Sequence, residues 1–136
     1  LGILGNIADL AVDEKKSTEG VPLELGRGRT LWVRQAGGHN RAMIWEAAEV
    51  AERLADELEG LEPRERDYVT HRAITAELLV ARWAGFKDEK GKPLDYTPAA
   101  GLELFSASPD TLSAVQDLST SGDAYRLERD KKKLRK

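Results

Sequence analysis

The chain has 136 residues, 40% of them hydrophobic and 33% charged, a length and balance that suit one domain with its own core and a charged exterior. It contains no cysteine and only two histidines, which excludes disulfides and thiolate chemistry and argues against a histidine-rich metal centre. The formal charge of −3 is unevenly spread: from Arg126 to Lys136 seven bases face two acids, so an acidic body carries a basic tail. Such a tail reads either as a solvated helix end that complements the helix dipole or as a contact surface.

Residues 1–20 read as an N-terminal segment and linker, and residues 21–136 as a single helical domain ending in the basic tail. Ile3, Ile7 and Leu10 suit a short amphipathic helix, and Asp13 to Gly20 a polar linker. The segment is neither a signal peptide nor a membrane span, which needs about 20 apolar residues. Val21, Leu23 and Leu25 then alternate with Pro22 and Glu24. With the turn Gly26-Arg27-Gly28-Arg29 and the run Thr30 to Gln35, they predict a β-hairpin with Pro22 on an edge. Two strands are marginal alone and must lie against helices.

Gly37-Gly38 ends the hairpin, and Asn40 is a candidate N-cap. Ile44, Ala47, Ala51, Leu54, Leu58 and Leu61 recur at three- and four-residue spacing, the seam of one long helix with its carboxylates outward. Gly60 and Pro63 are its stop signals. A second long helix is predicted from Pro63 or Arg64 to about Ala84 along Val69, Ala73, Ala76, Val80 and Trp83, antiparallel to the first. Phe86 to Tyr96 reads as a small hairpin or a tight ordered loop turning at Asp88-Glu89-Lys90-Gly91. Thr97-Pro98 and Ser108-Pro109-Asp110 start two further helices, with Leu102, Leu104, Phe105, Leu112, Val115 and Leu118 inward. A charged helix from about Asp123 closes the chain. The expected class is therefore mainly α, a small helical domain with an antiparallel helix pair, further short helices and an N-terminal β-hairpin.

Catalytic signals are absent. No glycine-x-serine-x-glycine elbow occurs, and neither His39 nor His71 has a histidine four residues away to complete a helical metal pair. Gly26-x-Gly28 opens like a nucleotide-binding loop, but Leu31 stands where the third glycine belongs, and a hairpin is the wrong context. No catalytic, cofactor or metal residue is assigned, and no enzyme activity is expected. Nucleic-acid binding calls for a basic face with aromatics. Only the last eleven residues are basic, and their one aromatic neighbour is Tyr125. Of the three tryptophans, Trp83 reads as core. Trp45 beside the first seam reads as a core cap or a contact anchor.

The stretch from Trp83 to Pro98 carries a Trp-x-Gly helix end, an acidic Asp-x-x-Gly-Lys-Pro-Leu turn and a Tyr-Thr-Pro helix start. This pattern, set after a short β segment and a Gly-Gly-x-Asn loop leading into helices, resembles the tail assembly chaperones of long-tailed bacteriophages. The resemblance extends loosely over Val21 to Lys136. It implies a non-enzymatic assembly factor that acts in the host cytoplasm, binds the helical tape measure protein and helps tail tube subunits assemble around it. It implies no catalytic residue and no cofactor. The family often makes a longer frameshifted form.

Such a chaperone can hold an amphipathic client helix in an apolar groove between the paired helices and the later ones, and many weak copies along one client gain through avidity. Met43, Trp45, Phe86, Leu104 and Phe105 are the candidate partner contacts, with core packing as the competing role of each. Self-association is compatible with this reading, and no membrane contact is expected. The alternatives are a structural or adaptor protein of a phage particle and a small nucleic-acid-associated regulator using the basic tail.

Overall fold

Helices pack against a three-stranded antiparallel sheet whose strands lie in the order Val21–Gly26, Arg29–Val33, Val80–Ala84. The computed structural model describes residues 3–127. The basic tail from residue 128 onward lies outside the described residues. In chain order come α1 (Glu14–Glu19), β1 (Val21–Gly26), β2 (Arg29–Val33), α2 (Arg41–Arg53), α3 (Ala55–Leu58) and α4 (Pro63–Ile74). A π-helical turn (Thr75–Leu79), β3 (Val80–Ala84), α5 (Pro98–Ala107), α6 (Pro109–Ser119) and a 3-10 turn (Gly122–Tyr125) follow.

Helices predominate and the hairpin is present, but the expected mainly α class is corrected to α+β: the hairpin is part of a three-stranded antiparallel sheet, because the end of the expected second helix is a strand. The apolar positions Ala76, Val80 and Trp83 fit a helical seam by spacing alone. In the structure Val80 pairs with Val33 and Trp83 with Leu31, and a register shift falls between Trp32 and Val33. Ala81 is the extra residue of that β-bulge. It lets two positions three apart share one sheet face, which an unbroken strand of period two cannot do. A bulged strand thus imitates helical spacing.

The N-terminal stretch also differs from expectation. Ile3, Ile7 and Leu10 form no helix; Leu10 and Ala11 donate to the Ile7 carbonyl in a turn, and the three side chains are exposed. Asp13 to Gly20, expected as a polar linker, contains α1. Its N-cap Asp13 accepts from the Lys16 N–H at 3.1 Å. Ser17 on this helix is fully buried. Its hydroxyl donates to Gln35 Oε1 and accepts from the His39 N–H, each at 2.9 Å. Gly20 ends α1 at φ +96°, where a Cβ would lie 2.9 Å from the backbone of Trp32 and Val33. Only glycine allows that approach.

The first long helix is shorter and turned from its expected orientation. It breaks at Leu54 (φ −89°, ψ −3°) into α2 and α3. Val50, with half-buried Met43, Ala47 and Leu54, packs on Ala73, Ile74 and Leu78. Ile44, placed in the seam by spacing, is 58% exposed, as is Trp45. Asn40 does stand before the helix but makes no side-chain cap. Its amide donates to the carbonyls of Gln35 (2.9 Å) and Leu78 (3.4 Å) and so pins the preceding loop to the π-helical turn.

The main core lies under the sheet: Leu31, Val33, Ala76, Val80, Phe105, Leu112 and Val115. The π-helical turn joins the two cores, with Ala76 in one and Leu78 in the other. Thr97 and Ser108 cap α5 and α6 as expected, each followed by proline at the first helical position. Of the charged helix expected from about Asp123, Gly122–Tyr125 form a 3-10 turn, Leu127 is helical, and the remainder lies outside the described residues. After the 3-10 turn, Arg126 bridges to Val12, and Leu127 donates to the Ala11 carbonyl at 3.2 Å.

Candidate functional site

Three helices that pack on one another at an angle leave a wedge where their apolar faces diverge, and here the wedge is open. A cleft of about 410 Å³ lies between α2, α4 and α6, floored by Met43, Ile74 and Leu79, with Tyr68, Gln116 and Thr120 also lining it. Its position matches the groove expected between the paired helices and the later ones. The sequence makes it so because α2 turns Met43 inward, while α4 gives way to the π-helical turn instead of continuing. That turn presents Thr75, whose hydroxyl donates to the His71 carbonyl at 2.7 Å and accepts from Gln116 Nε2 at 3.4 Å. Such turns recur at functional sites because they break helical regularity.

The cleft carries an apolar floor and a neutral hydrogen-bonding rim. Tyr68, 43% exposed, stands at its edge with the Arg72 guanidinium 5.6 Å from its ring centroid. His71 also lines the cleft. His39 is exposed on its loop and lies outside the cleft lining. Among the described residues, no three His, Asp or Glu side chains are grouped to hold a metal ion, and no helix is long and apolar enough to cross a membrane. Gly26-x-Gly28 belongs to the hairpin turn, where Arg27 and Gly28 both have positive φ (55° and 76°), as a two-residue hairpin loop requires.

The five residues expected as partner contacts are not brought together. Met43 lines the cleft. Trp45 stands on the opposite, outward side of α2, with the Arg41 guanidinium 4.6 Å from its ring centroid. Phe105 is wholly buried, and Leu104 and Phe86 pack against the main core. Phe86 stacks on Trp83 with ring centroids 4.0 Å apart, and Tyr96 meets the same ring edge-on at 4.9 Å. The segment from Trp83 to Pro98 is therefore an aromatic clasp. Trp83 Nε1 donates to the Leu94 carbonyl at 2.7 Å, and the Tyr96 hydroxyl donates to the carbonyl of Ala76. Leu94 donates back to Phe86, and Asp88 Oδ1 accepts from the N–H groups of Lys90 and Lys92. This is the tight turn expected there.

Tyr68, Gln116 and Thr120 were missed as cleft residues, because each sits on a helix face that looks merely polar or boundary in sequence. Burial pushes the Tyr96 and Tyr125 phenols well above the ordinary value of 10.0. At Tyr96 the charge of Arg34 opposes that rise and Glu77 adds to it. Tyr125, the one aromatic beside the basic tail, is fully buried and cannot stack on a nucleobase.

A family model described as YdaY prophage protein matches residues 40–136, which takes in every element that forms the cleft and leaves out the hairpin. No curated protein and no solved structure matches the chain.

Proposed function

The chain belongs to the YdaY prophage protein family and is phage-derived, and from that premise we propose that it is a tail assembly chaperone. In this reading it binds the tape measure protein in the host cytoplasm, assists tail tube assembly and performs no reaction. The observation that carries the proposal is the open cleft between α2, α4 and α6. Its floor of Met43, Ile74 and Leu79 suits the apolar stripe of an amphipathic helix, and its rim of Gln116 and Thr120 suits the polar shoulders of that helix. A helix needs no backbone partner from its receptor, so a neutral rim suffices. The resemblance of Trp83 to Pro98 to tail assembly chaperones points the same way.

Co-expression with the tape measure protein of the same phage tests this. The soluble yield of the client rises, and the two proteins co-purify. Tyr68→Asp at the cleft edge reduces that co-purification without unfolding the chain, since Tyr68 is largely outside the core. An unchanged client yield, with no co-purification, would contradict the proposal. Recovery of the chain at fixed stoichiometry in finished particles would instead favour a structural or adaptor role.

A further inference from the structure

The outward side of α2 and α3 is a second surface, separate from the cleft. The inward positions Met43, Ala47, Val50 and Leu54 follow one helical stripe, and Trp45 lies about half a turn away from it. A tryptophan and an isoleucine, each 58% exposed, at the centre and flank of a solvent face cost hydration that a charged side chain would not. Following Ile44, Trp45 and Ala48 along this face come Glu49, Glu52 and Asp56, all exposed. The two cations of α2 are already engaged: Arg41 lies over Trp45, and Arg53 pairs with Glu77. The face is therefore apolar at its N-terminal half and net acidic at its C-terminal half.

One segment of this chain has the complementary chemistry. From Arg126 to Lys136 seven bases accompany Leu127 and Leu134. We propose that the outward face of α2–α3 receives the basic C-terminal segment of a second copy, so that copies associate head to tail. Leucine meets Trp45 and Ile44, and lysine and arginine meet Glu49, Glu52 and Asp56. Because the two surfaces differ, the contact is heterologous and propagates from copy to copy instead of closing on a two-fold axis. It leaves the cleft free.

The test is charge exchange, read by sedimentation equilibrium over a range of concentration and salt. The full chain self-associates, and association weakens at least about tenfold as salt rises from low to physiological strength, as expected for exposed charges. One variant carries Glu49→Lys, Glu52→Lys and Asp56→Lys; the other carries Lys131→Glu, Lys132→Glu and Lys133→Glu. Each is monomeric alone, and an equimolar mixture of the two associates again. Trp45→Ser weakens self-association with no change in folding. A full chain that stays monomeric overturns the proposal, as does self-association that survives both reversals or a mixture that fails to re-associate. Co-purification with the tape measure protein is unchanged in all three variants, so a failure here is distinct from a failure of the cleft reading.

Discussion

The Tyr125 hydroxyl donates to the carbonyl oxygen of Val33 at 2.9 Å, joining positions 92 residues apart. Both side chains are fully buried. Nearby, the Asp13 N–H donates to the Tyr125 carbonyl at 2.7 Å, so one residue ties the end of the described chain to the central strand and to the start of α1. Tyr125→Phe keeps the ring and leaves a buried carbonyl without its partner. The expected loss is about 1–3 kcal/mol, measured by urea unfolding.

The same residue gives the protein an alkaline limit. The folded phenols of Tyr125 and Tyr96 hold their protons more tightly than the unfolded chain does, because burial disfavours the phenolate. A folded pKa above the unfolded value gives stability that is whole below pH 10 and is lost as pH rises beyond it. Urea midpoints from pH 9 to 11 should show that fall. The Tyr125→Phe variant should fall less steeply than the parent across that range.

Gly101 lies in α5, where alanine would ordinarily stabilise the helix by about 0.5–1 kcal/mol. Here an added Cβ would stand 2.3 Å from the Tyr96 hydroxyl. Tyr96 cannot retreat, being held by Ala76 and by the Trp83 ring. Gly101→Ala should therefore destabilise by about 1–3 kcal/mol, the usual range for overpacking, and thermal denaturation reads the sign directly.

The bulge at Ala81 makes a sharper prediction. Removing Ala81 leaves Val80 and Trp83 two residues apart, so a regular strand keeps both on the buried face, opposite Val33 and Leu31. The deletion should therefore cost no more than about 1 kcal/mol, the usual size for a change that empties no core position. Near-ultraviolet tryptophan dichroism and cooperative unfolding should both persist; their loss would contradict the bulge.

The orientation of α2 is checked by a pair of neighbours. Met43→Ala removes a side chain that packs on Val50, Ile74 and their cluster and should cost up to about 2 kcal/mol, below the full-core range because Met43 is only half-buried. Ile44→Ser changes an exposed side chain and should stay within about 0.5 kcal/mol. A reversal of that order in urea unfolding would mean that the helix presents its other side.

Local chemistry was the legible part of this chain. Pro98 and Pro109 after capping hydroxyls, the Arg27-Gly28 hairpin turn and the Asp88 turn each depend on a few adjacent residues, and each is found where the sequence places it. The failures are non-local. Ala76, Val80 and Trp83 repeat with helical spacing, yet the bulge against Trp32 and Val33 puts the last two in a strand. The β-branched Val80, the aromatic Trp83 and the following Gly85 were the available signal. Ile44 and Met43 are adjacent, and periodicity favours the more hydrophobic of them; packing against Ile74 and Leu78 chose the other. A cleft does lie between the paired helices and the later ones, but of the five expected contacts only Met43 lines it. Phe105 is buried and Phe86 is stacked in the clasp, since large apolar residues are drawn first to the core.

Site-specific photo-crosslinking during phage assembly puts the central claim to its most direct test. A photoreactive residue at position 68, on the edge of the cleft, should capture the tape measure protein, while one at position 24, on the hairpin, should not. No capture from position 68, or equal capture from both, would contradict a client held between α2, α4 and α6.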